Sequence, residues 1–273
     1  MSIRLFFLVA ILSVAVQGCQ QESEEKVSAE TTTAEKESAE EMSEDSKEDQ
    51  PEIVDFELPS LSDKLAARKA EFAKQAPEEL RNLFANGVKQ VAETGIVEQA
   101  KQVGDIAPSG TLQTAAEETV ELDSLWSDGP VVLVWYRGGW CPYCNLQLEA
   151  MQGATSTLER LGAKVVALTP ELPPKAAATQ EKLRVGFQIL SDPGNELARK
   201  FGLVFKLPPE VAKVYKDRIK LKEYNGDDSY ELPLSAVYVI DTQGIIRYAF
   251  LDADYTKRAE PADIVAAVKS LSL

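Results

Sequence analysis

The pattern of apolar and polar positions changes character three times along the chain. Residues 5–16, LFFLVAILSVAV, are apolar everywhere except Ser13. A bilayer span needs about 20 such residues, so this run matches the shorter apolar core of an export signal, with Arg4 as its positive flank. Residues 20–55 then carry fourteen Asp or Glu against three Lys, with no aromatic residue. Apolar surface that sparse cannot offset the entropy of ordering, and the segment reads as a disordered acidic linker.

Residues 60–103 take a helical period. Leu61, Leu65, Ala66, Lys69 and Phe72 fall near one face, and Leu80, Leu83, Phe84, Val88 and Val91 near another, with Pro77 between them and Gly95 as a closing cap. Two such helices are too small to stand alone and are expected to pack on the residues C-terminal to them. From Gly104 the chain alternates strands and helices. Residues 131–136, VVLVWY, form an unbroken apolar run expected of a strand buried on both faces. Pro142 opens a helix that Gly162 stops; 163–168 and 187–190 read as strands, with a helix after Pro173–Pro174 between them. SDPGNELARKFG reads as a capped helix closed by Gly202. Two strands around the turn 241–244 make a hairpin, and PADIVAAVKSL a final helix. The predicted architecture is α/β, a mixed sheet with helices on its faces. The expected divisions are 1–18 signal, 19–58 linker, 59–103 helical extension and 104–273 main domain.

Composition narrows the chemistry. The 273 residues include no histidine, which excludes His-based nucleophile activation and histidine-ligated zinc or haem. Two neighbouring cysteines alone make a poor zinc site, so no metal and no cofactor are expected. Net charge is −15, of which residues 20–55 supply −11, so the acidity says little about the folded part, and no nucleic-acid partner is expected. Gly18–Cys19 closes the apolar run and resembles the lipobox of bacterial lipoproteins. That resemblance implies an exported protein, lipidated at Cys19 and held at the periplasmic side of a membrane by its linker.

The remaining cysteines lie in RGGWCPYC, residues 137–144. Cys141 precedes the helix-opening Pro142, where free N–H groups and the helix dipole favour a thiolate. Arg137 and Arg247 are candidate cations that would lower its pKa further. Cys144, Leu148, Met151, Thr155 and Leu158 form one helical stripe, which places Cys144 inward and leaves Cys141 at an exposed tip. An accessible thiol beside a protected one suits attack and resolution. Trp135, Tyr136 and Trp140 are candidate groove residues.

Several motifs in order resemble the AhpC/TSA peroxiredoxins, in a bacterial C-x-x-C branch: VGDIAP, VVLVWYRGGWCPYC, FQILSDPGNELARKFGLVF and NGDDSYELPLSAVYVIDTQGIIRYAFLDADYTKRAEP. The resemblance covers residues 60–273. It implies a thioredoxin fold and reduction of hydrogen peroxide or organic hydroperoxides through a Cys141/Cys144 pair, recycled by a thioredoxin-like donor. The common peroxiredoxin pattern Pro-x-x-x-Thr-x-x-Cys, set on Cys144, puts Cys141 at the threonine and Arg137 at the proline. That register makes Cys144 the attacking sulfur, whereas exposure favours Cys141, and both stay open. W-C-P-Y-C also resembles thioredoxin, which implies a tethered thiol–disulfide oxidoreductase as the alternative. At the place of the thioredoxin cis-proline stands Ser235, with Pro233 nearby. A non-catalytic thioredoxin-fold binding module is a third reading.

Overall fold

The computed structural model describes residues 60–272. The expected export signal, Cys19 and the expected acidic linker lie outside the described residues. In chain order the helices are α1 (Leu61–Gln75), α2 (Glu78–Ala92), α3 (Ile96–Gln99), α4 (Pro142–Arg160), α5 (Pro173–Leu183), α6 (Glu196–Lys200), α7 (Pro209–Val214), α8 (Leu221–Asn225) and α9 (Pro261–Lys269). The strands are β1 (Thr111–Gln113), β2 (Thr119–Glu121), β3 (Val131–Trp135), β4 (Lys164–Thr169), β5 (Gln188–Ser191), β6 (Val204–Lys206), β7 (Glu231–Pro233), β8 (Val237–Ile240) and β9 (Ile246–Phe250). A π-turn, Tyr215–Ile219, continues α7.

The main sheet runs β2-β1-β5-β4-β3-β8-β9. Strands β3, β4 and β5 are parallel, and the β8–β9 hairpin adds on antiparallel beside β3. This is the expected mixed sheet. β3 lies inside it, between β4 and β8, and all five of its residues are buried. Side-chain alternation divides them. Val132 and Val134 face a core shared with Leu148, Met151 and Leu158 of α4 and Ile264 and Val268 of α9. Val131, Leu133 and Trp135 face the opposite core, with Ile96, Leu197 and Phe201. In that second core Trp135, Phe201 and Tyr238 pack with ring centroids 4.7, 5.8 and 5.3 Å apart. Such aromatic pairs contribute about 0.5–1.5 kcal/mol each beyond their buried area.

The N-terminal helices attach to this body by identifiable contacts. The free N–H groups of Leu61 and Ser62, at the start of α1, donate to the Glu260 carboxylate at 3.0 and 2.6 Å. Glu260 is also the residue before α9, so one carboxylate ties the start of α1 to the start of α9. The buried face of α1 is Leu61 and Leu65, with Phe72 half-buried; Ala66 and Lys69, expected on that face, are exposed. The face therefore follows positions 61, 65, 68 and 72, and the long stem of Arg68 fills the place assigned to Ala66 and Lys69.

Other differences have local causes. SDPGNELARKFG is not one helix, because Gly194 and Asn195 take left-handed backbone angles. Asp192 instead caps a short α6, its carboxylate accepting from the N–H groups of Leu197 and Ala198 at 2.9 Å each. The short strands β1, β2, β6 and β7 carry only three residues each, too few for a period to register.

Candidate active site

β3 ends at Trp135 and α4 begins at Pro142, and the six residues between them make the site. The turn owes its shape to the glycine pair. A side chain at Gly138 would lie 2.2 Å from Nε1 of Trp140, and one at Gly139 2.0 Å from Oγ1 of Thr179 on α5. Only glycine lets this loop press against α5 while Trp140 folds back over it. Cys141 caps α4, its N–H donating to Gly138 O at 3.0 Å and its carbonyl accepting from Asn145 N–H.

Neither cysteine is exposed: Cys141 keeps 2% of its surface and Cys144 none. The expected stripe of Cys144, Leu148, Met151, Thr155 and Leu158 is buried throughout, but the exposed tip at Cys141 is not found. The reason lies far away in sequence. α1, α2 and the α7 π-turn close over the start of α4, leaving a chamber of about 220 Å³ on which Cys141 opens. Cys144 lies behind it, within hydrogen-bond reach of its neighbour, and the two sulfurs are not bonded to each other.

The charges around the pair are asymmetric. Arg258 Nη2 donates to Cys144 Sγ at 3.3 Å, while its Nη1 donates to the carbonyls of Tyr255 and Lys257. Burial disfavours a Cys144 thiolate. A hydrogen bond from Cys141, the charges of Arg258 and Arg137 and the Arg137 backbone N–H outweigh it, and the thiol is driven well below its ordinary value. Cys141 moves the opposite way: burial, then its donation to Cys144 and that group's charge, push its thiol up. The two shifts run in opposite directions and favour ionisation of Cys144 over Cys141.

Arg137 has 2% exposure and stacks on three rings, 5.2 Å from Trp140, 5.5 Å from Tyr215 and 4.3 Å from Tyr255. Its Nη2 donates to Tyr215 Oη, whereas Nε and Nη1 have no partner among the described residues. Burial opposes its charge, but facing Tyr215, Cys141 and Cys144 prevail and its pKa moves up. Arg247, the other expected cation, is elsewhere: half-exposed on β9, it pairs with Asp241 at 2.6 Å. Its place is taken by Arg258, which nothing in the periodicity marked. Ser235 does face the thiols, its Oγ 4.0 Å from Cys144 Sγ. Of the expected groove residues only Trp140 lines the chamber; Trp135 and Tyr136 are wholly buried. Their rings belong to the strand and its immediate end, so they fill the core instead.

Behind the loop sits a buried carboxyl that sequence reasoning missed. Glu171 has no exposed surface and accepts from Gly139 N–H at 3.0 Å. Burial, opposed by hydrogen bonds from Gly139, Tyr136 and Thr169 and aided by the charge of Cys144, pushes its pKa up to about 7. Among the described residues no cluster of three or more metal-ligating side chains occurs.

Known proteins share this framework. The chain is 26% identical over 162 residues to a chloroplastic peroxiredoxin Q from Triticum aestivum, covering 59% of this chain and 64% of that one. It is 29% identical over 103 residues to peroxiredoxin Bcp of Escherichia coli, covering 37% of this chain and 65% of that one. It thus spans under two thirds of the length of these relatives. The peroxidoxin BcpB of Mycobacterium tuberculosis superposes with a TM-score of 0.51 at 20% identity, over 62% of this chain and 97% of that one. That likeness, and one of 0.52 to a mutant peroxiredoxin 6 from Arenicola marina at 17% identity, covering 63% and 74%, establishes the thioredoxin-like peroxiredoxin fold. The AhpC/TSA family model matches residues 103–249, more than half of the chain and all of β3, the glycine turn and α4, and the protein is a member of that family.

Proposed function

We propose that this protein is a thiol peroxidase in which Cys144 attacks the peroxide and Cys141 resolves the product. The observation that carries this reading is that Arg258 donates to the buried Cys144 sulfur, whose thiol is driven well below its ordinary value while that of Cys141 is pushed up. Donors arranged around a sulfur hold it as a thiolate, and the thiolate is the nucleophile. Attack on R–O–OH forms an S–O bond and breaks the O–O bond, giving Cys144 sulfenic acid and an alkoxide that takes up a proton as ROH. Cys141 then condenses with the sulfenic acid, forming the disulfide and releasing water. Two electrons leave the pair, and an external dithiol of the thioredoxin type returns them. In this reading Arg258 and Arg137 offset the charge that develops on the departing oxygen, supported by the contact of Arg258 with Cys144 and the place of Arg137 in the chamber lining, and Trp140 and Ser235 support the site.

Mass spectrometry of the full-length protein after one equivalent of hydrogen peroxide is expected to show a peptide linking Cys141 and Cys144. Cys141→Ser keeps a hydroxyl donor and should stop at sulfenic acid or over-oxidise, while Cys144→Ser should not react faster than free cysteine. One observation favours a second reading: Cys141, not Cys144, is the sulfur that opens on the chamber. Attack by Cys141 would reverse the two variants' behaviour. Reduction of insulin by a wild type inert to peroxide would replace the peroxidase with a disulfide exchanger.

We also infer export and lipid anchoring at Cys19, with residues 19–58 as the tether. What supports this is the apolar run 5–16 ending in Gly18–Cys19 and the acidic segment behind it. Labelled palmitate should enter the wild type and not Cys19→Ser; equal labelling of both rejects the anchor.

A further inference from the structure

We propose that the chamber in front of the thiols selects a compact, apolar-bodied hydroperoxide that also bears a carboxylate, with Arg218 recognising the charge. This rests on the peroxidase reading and deepens it. Hydrogen peroxide needs little more room than a water, about 30 Å³. The chamber holds about 220 Å³, walled by Phe72, Phe84, Trp140 and Ile219. That is below the about 300–1,000 Å³ of sites for larger ligands, and fits a single ring or a short branched chain.

Two further observations give the ligand polar ends. Arg137 is one of the lining residues, its charge almost wholly buried among Trp140, Tyr215 and Tyr255. That buried positive charge beside Cys141 favours a polar, electron-rich group at the inner end of the ligand. At the mouth stand Arg68 and Arg218. Arg68 is held by Glu71 at 2.7 Å. Arg218 is exposed and makes no ion pair with any described residue. No carboxylate lines the chamber, so its sign is opposite to the chain's net charge of −15. A cationic cleft with apolar walls concentrates anions. Arg68, Phe72, Leu80, Phe84 and Tyr255 lie outside the stretch 103–249 that matches the family, whereas Arg218, Trp140 and Ile219 lie within it, so the chamber is built from both.

The test compares cumene hydroperoxide with its para-carboxylate on the full-length protein. The two corresponding tertiary alcohols serve as unreactive ligands in calorimetry. Wild type should favour the carboxylate by about threefold to fivefold in kcat/KM and in alcohol affinity, the range of an exposed ion pair, and less at high salt. Arg218→Gln should bring both ratios to about one. Leu80→Trp, which fills the chamber, should lower the ratio of organic to hydrogen peroxide turnover. Equal preference in wild type, a preference surviving in Arg218→Gln, or no saturable alcohol binding overturns the proposal. If no peroxide is turned over, the peroxidase reading has failed; the alcohol pair still decides, and a carboxylate preference lost in Arg218→Gln upholds the chamber.

Discussion

Replacing Arg258 by methionine is expected to lower the rate of sulfenic acid formation by roughly ten- to hundredfold. Methionine keeps the apolar stem and removes the guanidinium that touches Cys144 Sγ at 3.3 Å. A hydrogen bond to a charged group is worth about 1.5–3 kcal/mol, and each 1.4 kcal/mol is about tenfold. The charge of Arg258 is one of the influences holding the Cys144 pKa down, so the thiolate should appear only at higher pH in the variant. Ultraviolet thiolate absorbance followed against pH reads this directly. Arg258→Lys restores the charge without the fork and should recover part of the shift. An unmoved absorbance profile in Arg258→Met would leave Cys144 held by Cys141 and Arg137 alone.

Replacing Glu171 by glutamine is expected to stabilise the protein at alkaline pH and to do nothing at acid pH. The carboxyl is forced to about 7 from an unperturbed 4.5. Between these values the folded state holds a proton that the unfolded chain has lost, so this group makes stability fall as pH rises through the window. Above it the loss is complete, on the order of 3–4 kcal/mol at about 1.4 kcal/mol per unit. Glutamine keeps an oxygen for Gly139 N–H and removes the charge that faces Tyr136, Thr169 and Cys144. The urea midpoint should therefore rise at about pH 8 and stay unchanged at about pH 4. Equal midpoints for variant and wild type at both values would show that Glu171 is ionised in the fold at little cost.

The sequence disclosed the features whose signals are local. The apolar run of β3, the stripe of α4 and the β8–β9 hairpin depend on residues within a few positions of one another, and all three are present. The neighbourhood of Cys141 was not legible in this way. Its burial comes from α1, α2 and the stretch 209–219, a run of mixed charged and apolar residues in which Val211 and Tyr215 are buried and Val214 and Ile219 line the chamber. Arg258 lies in a polar run with no period and acquires its meaning only when the loop before α9 meets α4. Glu171 is a single acid after a strand, and no pattern distinguishes a buried carboxyl there from an exposed one. Arg137 was visible as a cation near Cys141, but its cage draws Tyr215 and Tyr255 from distant segments.

On the proposed peroxidase reading, the cover laid over Cys141 separates the two halves of the catalytic cycle by the size of the reagent. A peroxide is small enough to enter the chamber as it stands. A protein dithiol must bring its own sulfur into line with the disulfide, and thiol exchange depends on access to the sulfur attacked. With 2% of Cys141 and none of Cys144 at the surface, no protein-borne thiol reaches them while α1, α2 and the π-turn stay seated. Recycling is then gated by the opening of that cover, which the Glu260 clasp on the start of α1 helps to hold shut. In a peroxidase so built, a peroxide reaches the chamber at Cys141 by diffusion, whereas the return of electrons waits on the opening of the cover.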